Sequence, residues 1–240
     1  MKNYVLAPVI AVSLLVSWLI WSQMPPYIKQ GGPLLVLGLT FFFLTLTFAV
    51  ERSIVLWRAG GRGNVAVFIA ALKKSVHGGD LPGAITACRT QGGCLANVVG
   101  AGLEKFRKVH GTGTGGAGKE TLEETRRALQ EASALESPNL EQNLNALSTI
   151  DSVATMLGLL GTTIGMIRSF HAMSRAGAPD ATALALGISE ALVNTALGLV
   201  TAIIATMLYN HFTTKVDQFN TRVEETSYEI LKLLEVGKES

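Results

Sequence analysis

ALALGISEALVNTALGLVTAIIATMLY, residues Ala183–Tyr209, decides the fold. This run holds one charge, Glu190, and one amide, Asn194, among side chains that are otherwise almost all apolar. A hydrocarbon core of about 30 Å takes about 20 helical residues, so the stretch is long enough to cross a bilayer. Glu190 sits about two turns into this span, too deep for a surface residue, and a carboxylate within an apolar span costs several kcal/mol unless it faces protein or water, so Glu190 reads as a functional residue. Asn194 lies one helical turn further on and Thr201 falls near the same azimuth, which draws a polar strip along one face. Thr195 is offset by about 140° and shares its face with Ala191, Ala202 and Thr206. One face is expected to line a water-filled path and the small-residue face to pack a neighbouring helix.

Three further segments have the same character. Residues 4–22 and 33–50 carry no charge, and residues 152–170 carry only Arg168, near their end. The 240-residue chain is 48% hydrophobic and 16% charged, with a mean hydropathy of +0.36. Soluble domains carry about a quarter of their residues as charges, so the whole composition leans toward a membrane. The first segment also has the basic start and apolar middle of a signal peptide. Trp18, Trp21 and the Pro25-Pro26 pair read better as the interfacial end of a retained helix. Retention is the reading taken here, with cleavage as its alternative.

Lysine and arginine set the orientation. Residues 51–148 hold twelve of the twenty, while connectors 23–32 and 171–182 hold one each, Lys29 and Arg175. Arg52, Arg58 and Arg62 directly follow the second span and weigh most, placing the middle section and the tail in the cytoplasm. The resulting division is an N-terminal apolar segment and outer connector (1–32), a transmembrane helix (33–50), and a cytoplasmic helical region (51–150). A transmembrane hairpin (151–210) and a cytoplasmic C-terminal helix (211–240) complete it. Within the cytoplasmic region a glycine-rich connector, 111–118, precedes a leucine stripe at 122, 129, 140, 144 and 147, interrupted at Pro138. Val216, Phe219, Val223, Ile230 and Leu234 form a matching stripe in the tail. The fold class is therefore all-α: a polytopic membrane protein whose long helices extend into a cytoplasmic bundle.

Other features carry little chemistry. Gly113-x4-Gly118-Lys119 matches most of a phosphate-binding loop, but Glu120 stands where the magnesium-binding hydroxyl belongs, and no apolar strand precedes it. Cys88 and Cys94, in C-x5-C spacing, fit neither a zinc knuckle nor a redox pair and read as buried thiols. The four histidines have no partnering motif. Asp151 reads as capping or preceding the third span, and Asp180 as starting the fourth. The net charge of +2 gives no case for nucleic acid. No catalytic residue, cofactor or metal site is expected.

The third span adds Gly158, Gly161 and Gly165, which permit close helix approach, with Thr155 and Thr162 nearly superposed on one face. An isolated threonine in such a helix is most simply read as bonding its own backbone. At Leu157-Gly-Leu-Leu-Gly-Thr-Thr-Ile-Gly-Met166, Gly187-Ile-Ser-Glu-Ala-Leu192 and Thr195-Ala-Leu-Gly-Leu199, followed by Ala202-Ile203, the sequence resembles the MotA/TolQ/ExbB proton-channel family. Its closest likeness is to the ExbB branch. Glu51-Arg52, on the cytoplasmic side of the second span, is a weaker match, and the resemblance extends over about residues 33–215.

That resemblance implies that Glu190, Thr162 and Thr195 line a channel interior, with Asn194 beside them, and that Gly158, Gly161, Gly165, Gly187 and Gly198 pack helices. It implies a pentamer in the inner membrane around a single-span, ExbD-like partner whose aspartate carries the proton. It further implies a TonB-like protein that passes the motion to outer-membrane import. The chain departs from the family where Thr155 and Ile204 replace common prolines, which removes kinks, and where Thr163 replaces a valine. A TolQ-like envelope role or a gliding or flagellar stator stays open within the family. A secondary transporter is less consistent, because no internal repeat or paired broken helices are present.

Overall fold

The computed structural model describes residues 3–25, 29, 31–111, 119–174 and 180–236. Nearly all of the glycine-rich connector therefore lies outside the described residues. The described chain forms helices α1 (Asn3–Gln23), α2 (Gly32–Ala59), α3 (Val65–His77), α4 (Leu81–Gln91), α5 (Gly93–Gly111), α6 (Lys119–Glu141), α7 (Leu144–Ser174) and α8 (Ala181–Val236). No strand occurs among the described residues, in accord with the all-α reading. Apolar stretches long enough to cross a membrane occur in α2, α7 and α8, and a shorter one, Pro8–Gln23, in α1. The 56 residues of α8 would span about 84 Å, far beyond one bilayer, so much of this helix must lie outside the lipid.

Two compact units divide the chain. The first comprises the residues up to Arg52 together with Asn143–Phe212. Its core buries Leu35, Leu39, Leu44 and Phe48 together with hydroxyl residues, and its exterior is apolar. Ser13, Ser17, Thr40 and Thr45 are buried, while Leu15, Trp18, Leu19, Val50, Leu159, Ile167, Leu192, Ile203 and Met207 face outward. The inward hydroxyls are satisfied within their own helices: Ser17 Oγ donates to Ser13 O at 2.7 Å, Thr40 Oγ1 to Val36 O at 2.8 Å and Thr45 Oγ1 to Phe41 O at 2.9 Å. An apolar exterior of this extent is costly in water and is the stable arrangement in lipid, so the first unit is a membrane body.

The second unit comprises Ser53–Gln142 and Thr213 onward. Here α5 packs against α4 and α6, and α3 against α4. The fill is aliphatic: Leu72, Val98, Val99, Leu103, Leu129, Val216, Val223 and Ile230 are buried, so the tail stripe read from the sequence does face inward. Helix starts follow ordinary capping. The Asn64 side chain accepts from Ala66 N, and Asp80 Oδ1 accepts from Gly83 N, each at 2.9 Å. Ion pairs Arg89–Glu104 at 2.7 Å, Lys105–Glu124 at 3.0 Å and Lys73–Glu229 at 2.5 Å lie on its surface.

Two sequence expectations shift. Helix α6 runs through Pro138 instead of breaking there. A proline removes one backbone donor, and on this exposed turn water can meet the freed carbonyl. The break comes at Asn143, whose φ of 62° is the left-handed conformation that asparagine tolerates better than most residues. Helix α7 consequently begins at Leu144, and Asp151 sits inside it rather than at its start. Asp180 does start α8: its Oδ1 accepts from Thr182 N and Ala183 N, both at 3.0 Å.

Candidate functional site

The site lies in the first unit, where α7 and α8 pack backbone to backbone. A Cβ added to Gly198 would fall 2.7 Å from Ala154 O and 2.9 Å from Gly158 Cα. One added to Gly165 would fall 2.6 Å from Gly187 O. Gly161 leaves room for Asn194 Cβ, and Gly187 for Ser169 Oγ. All five glycines therefore lie along one seam; at Gly161, Gly165, Gly187 and Gly198 it is too close for a larger residue, while a Cβ at Gly158 would meet ordinary contacts at 3.4–3.5 Å. Ser169 Oγ spans the same seam, 3.1 Å from both Gly165 O and Leu184 O.

Glu190 is 5% exposed. Its two carboxylate oxygens lie 2.5 and 2.6 Å from Arg168 Nη1, the guanidinium itself being half exposed. Helix α2 closes the other side. Gly32 takes a φ of 64°, and a Cβ there would come 2.7 Å from Glu190 Oε1, so only glycine lets this turn rest on the carboxylate. One turn along, Asn194 Nδ2 donates to Gly31 O at 2.9 Å, while its Oδ1 is buried with no partner among the described residues. Thr201 is buried on the same strip and its Oγ1 donates to Leu197 O at 2.8 Å. Leu197 packs against Gly38 of α2. The strip anticipated along α8 is thus turned inward within the subunit, clasping the start of α2.

An ionic pair in a low-dielectric setting offsets part of the desolvation that either charge would suffer alone. Arg168 was visible in the sequence only as a lone charge near the end of its span. Two opposite charges on consecutive membrane helices, each near their shared connector, were the available signal. Their pairing depends on the register of the hairpin, which composition does not supply.

The two threonines occupy different settings. Thr195 Oγ1 lies 3.0 Å from both Gly158 O and Ala191 O, so its single proton is shared between its own helix and α7. Thr162 is half-buried and its Oγ1 donates to Leu159 O at 2.7 Å. Thr155 and Thr163 likewise donate to their own helix, at Asp151 O and Leu159 O. Glu190 and Asn194 share the α2 turn, Thr195 stands on the adjoining seam, and Thr162 is bonded within α7.

Glu51 and Arg52 form a second polar cluster in this unit. Arg52 is only 1% exposed; its Nε and Nη2 donate to the two Glu51 oxygens at 2.9 and 2.8 Å. Asn143 Nδ2 lies 3.3 Å from the same carboxylate, so the pair steadies the left-handed residue at which α7 starts. The sequence marked this pair only as a weak family match and an orientation signal, and did not show its burial.

Residues 93–225 match the MotA/TolQ/ExbB proton channel family. The chain is 32% identical over 167 residues to the biopolymer transport protein ExbB of Pseudomonas putida, covering 69% of this chain and 49% of that protein. It is 33% identical over 196 residues to an ExbB homolog of Methanothermobacter thermautotrophicus, covering 82% and 65%. To the Tol-Pal system protein TolQ of Haemophilus influenzae it is 40% identical over 93 residues, covering 39% and 41%. The chain thus spans between about two fifths and two thirds of the length of these relatives.

Proposed function

The chain belongs to the MotA/TolQ/ExbB proton channel family, and from that premise we propose that it is an ExbB-like stator subunit driven by the proton-motive force. In this reading it assembles with copies of itself, as a pentamer, in the inner membrane. The ring surrounds an ExbD-like single-span partner and acts through a TonB-like protein on outer-membrane import. Most of its non-membrane residues are cytoplasmic, following the lysine and arginine asymmetry. Helix α1, with serines inward and leucines outward, is read as an additional span.

The observation that carries the proposal is the buried Glu190 carboxylate, paired with the half-exposed Arg168 and resting on Gly32. An ionisable residue within a membrane span is costly and marks a functional site by default. Glu190 is engaged by Arg168 and the α2 turn, so its proposed part is to hold charge and geometry at the wall of the passage. The proton itself travels on the partner's membrane carboxylate. Protonation there removes that group's desolvation cost and frees it to move past the ring. Asn194, Thr195 and Thr162 are proposed as the polar neighbours of that path, and the five glycines as the seam that keeps the wall rigid.

A deletion strain complemented with the wild-type chain or with Glu190→Gln tests the reading. The expected result is restored energy-dependent import by the wild type, abolished by an uncoupler and by the substitution, with the protein still present in the membrane. Restoration by Glu190→Gln would overturn it. The similarity to TolQ supports a second assignment, to envelope maintenance, and detergent sensitivity of the same strain separates the two.

A further inference from the structure

In the second unit, two glycine turns interlock next to the end of α2. Gly61 and Gly63 (φ 74° and 91°) meet Gly92 and Gly93 (φ 62° and 84°), and Arg62 N donates to Gln91 O at 2.7 Å. A Cβ on Gly93 would fall 2.6 Å from Ala59 O and from Gly61 N, so the two turns are fixed against each other by backbone contact. Between them opens a cleft of about 450 Å³ lined by Trp57, Arg58, Arg62, Arg89, Thr90 and Gln91 together with the turn glycines.

The lining has a definite chemistry. Three guanidinium groups border the cleft, and among the described residues no carboxylate lines it. Arg89 shares its charge with Glu104 at 2.7 Å, outside the lining, whereas Arg58 and Arg62 have no ion-pair partner among the described residues. Gln91 Nε2 is buried and also without a partner among them. Guanidinium forks and amide donors together suit a phosphate oxyanion.

Position selects among phosphates. Val50 and Ile54 keep α2 apolar on its outer face up to Trp57, which is 80% exposed. An exposed tryptophan at the end of an apolar helix sits at headgroup level, and Arg58 and Arg62 follow it directly on the side read as cytoplasmic. We propose that this cleft binds the phosphodiester headgroup of an anionic phospholipid of the inner leaflet, with Trp57 against the glycerol and upper acyl region. The inference goes beyond the proton path and does not depend on it.

The test uses the full chain in nanodiscs, with Trp18→Phe and Trp21→Phe leaving Trp57 as the single tryptophan, and brominated lipids as quenchers. Brominated phosphatidylglycerol is expected to quench Trp57 at several-fold lower mole fraction than brominated phosphatidylcholine. Arg58→Gln with Arg62→Gln is expected to remove most of that preference and bring the two lipids to nearly equal quenching, two basic groups near a charged surface being lost. Arg126→Gln with Arg127→Gln, which removes equal charge from α6, is expected to leave it intact and serves as the folding-matched control. Equal quenching by both lipids, or equal loss in both variants, would overturn a built site. Displacement of phosphatidylglycerol by millimolar inorganic phosphate would overturn the lipid as occupant and assign the cleft to a soluble phosphate.

Discussion

Where α7 meets α8, glycines at 158, 161, 165, 187 and 198 bring backbone against backbone, and the polar side chains lie inside. In the second unit the same task falls to Leu72, Val98, Val99, Leu103 and Phe106, with charges outside. The contrast follows from the solvent. Lipid tails are as apolar as leucine, so burying leucine in a bilayer gains little; close approach and hydrogen bonds must hold the helices. In water each Å² of buried apolar area contributes about 25 cal/mol, and large aliphatic side chains are the efficient fill. The chain is held together by two different forces in its two units.

The contrast can be broken most sharply by adding volume. Gly198→Leu would drive a side chain into Ala154 O and the Gly158 backbone, which cannot swing aside. It is expected to eliminate monodisperse protein after detergent extraction, whereas Leu103→Met in the other unit should cost less than about 1.5 kcal/mol. Removing volume should reverse the ranking. Leu103→Ala is expected to cost about 2–5 kcal/mol in chemical denaturation. Leu19→Ala, on the outward face of α1, should cost under about 1 kcal/mol, because no packed cavity is opened. Similar losses at both leucines would mean that the first unit does not face lipid.

A double-mutant cycle with Arg168→Gln and Glu190→Gln sharpens the polar side of the comparison. A coupling of about 0.5–3 kcal/mol is expected, toward the lower half because Arg168 is half exposed. The surface pair Lys105–Glu124 should couple by less than about 1 kcal/mol. The smallest effect concerns thiols. Burial pushes Cys88 and Cys94 up to about 11, so both stay protonated at neutral pH. Alkylation of the native protein at pH 7.5 should be slow compared with the denatured chain and should accelerate as pH rises toward 11. Fast native labelling would show that this packing opens.

The sequence carried the helical class, the membrane character, the tail stripe and the glycine pattern, because periodicity and composition report which residues share a face. The family reading from the paired membrane motifs also holds. What was not legible depended on register and on exposure of single turns. Pro138 looked like a break and is not one, since a helix can lose one hydrogen bond on a wet face. The actual break needed Asn143 in a left-handed conformation and Glu51 and Arg52 folded inward to hold it. Glu190 stood out alone, but Arg168 became its partner only once the hairpin closed, and Gly31-Gly32 became its floor only once α2 docked. Thr195, equivalent to Thr162 by residue type, differs from it by reaching the carbonyl of Gly158 across the seam.

The central claim is that Glu190, held by Arg168 and resting on the start of α2, forms part of the wall of a proton path. Proton flux is its most direct test, measured with a trapped pH dye in vesicles that hold the chain and the single-span partner proposed for it. Glu190→Gln is predicted to lower the flux by about tenfold or more while the assembly keeps its mass. Undiminished flux through an intact Glu190→Gln assembly would contradict the account.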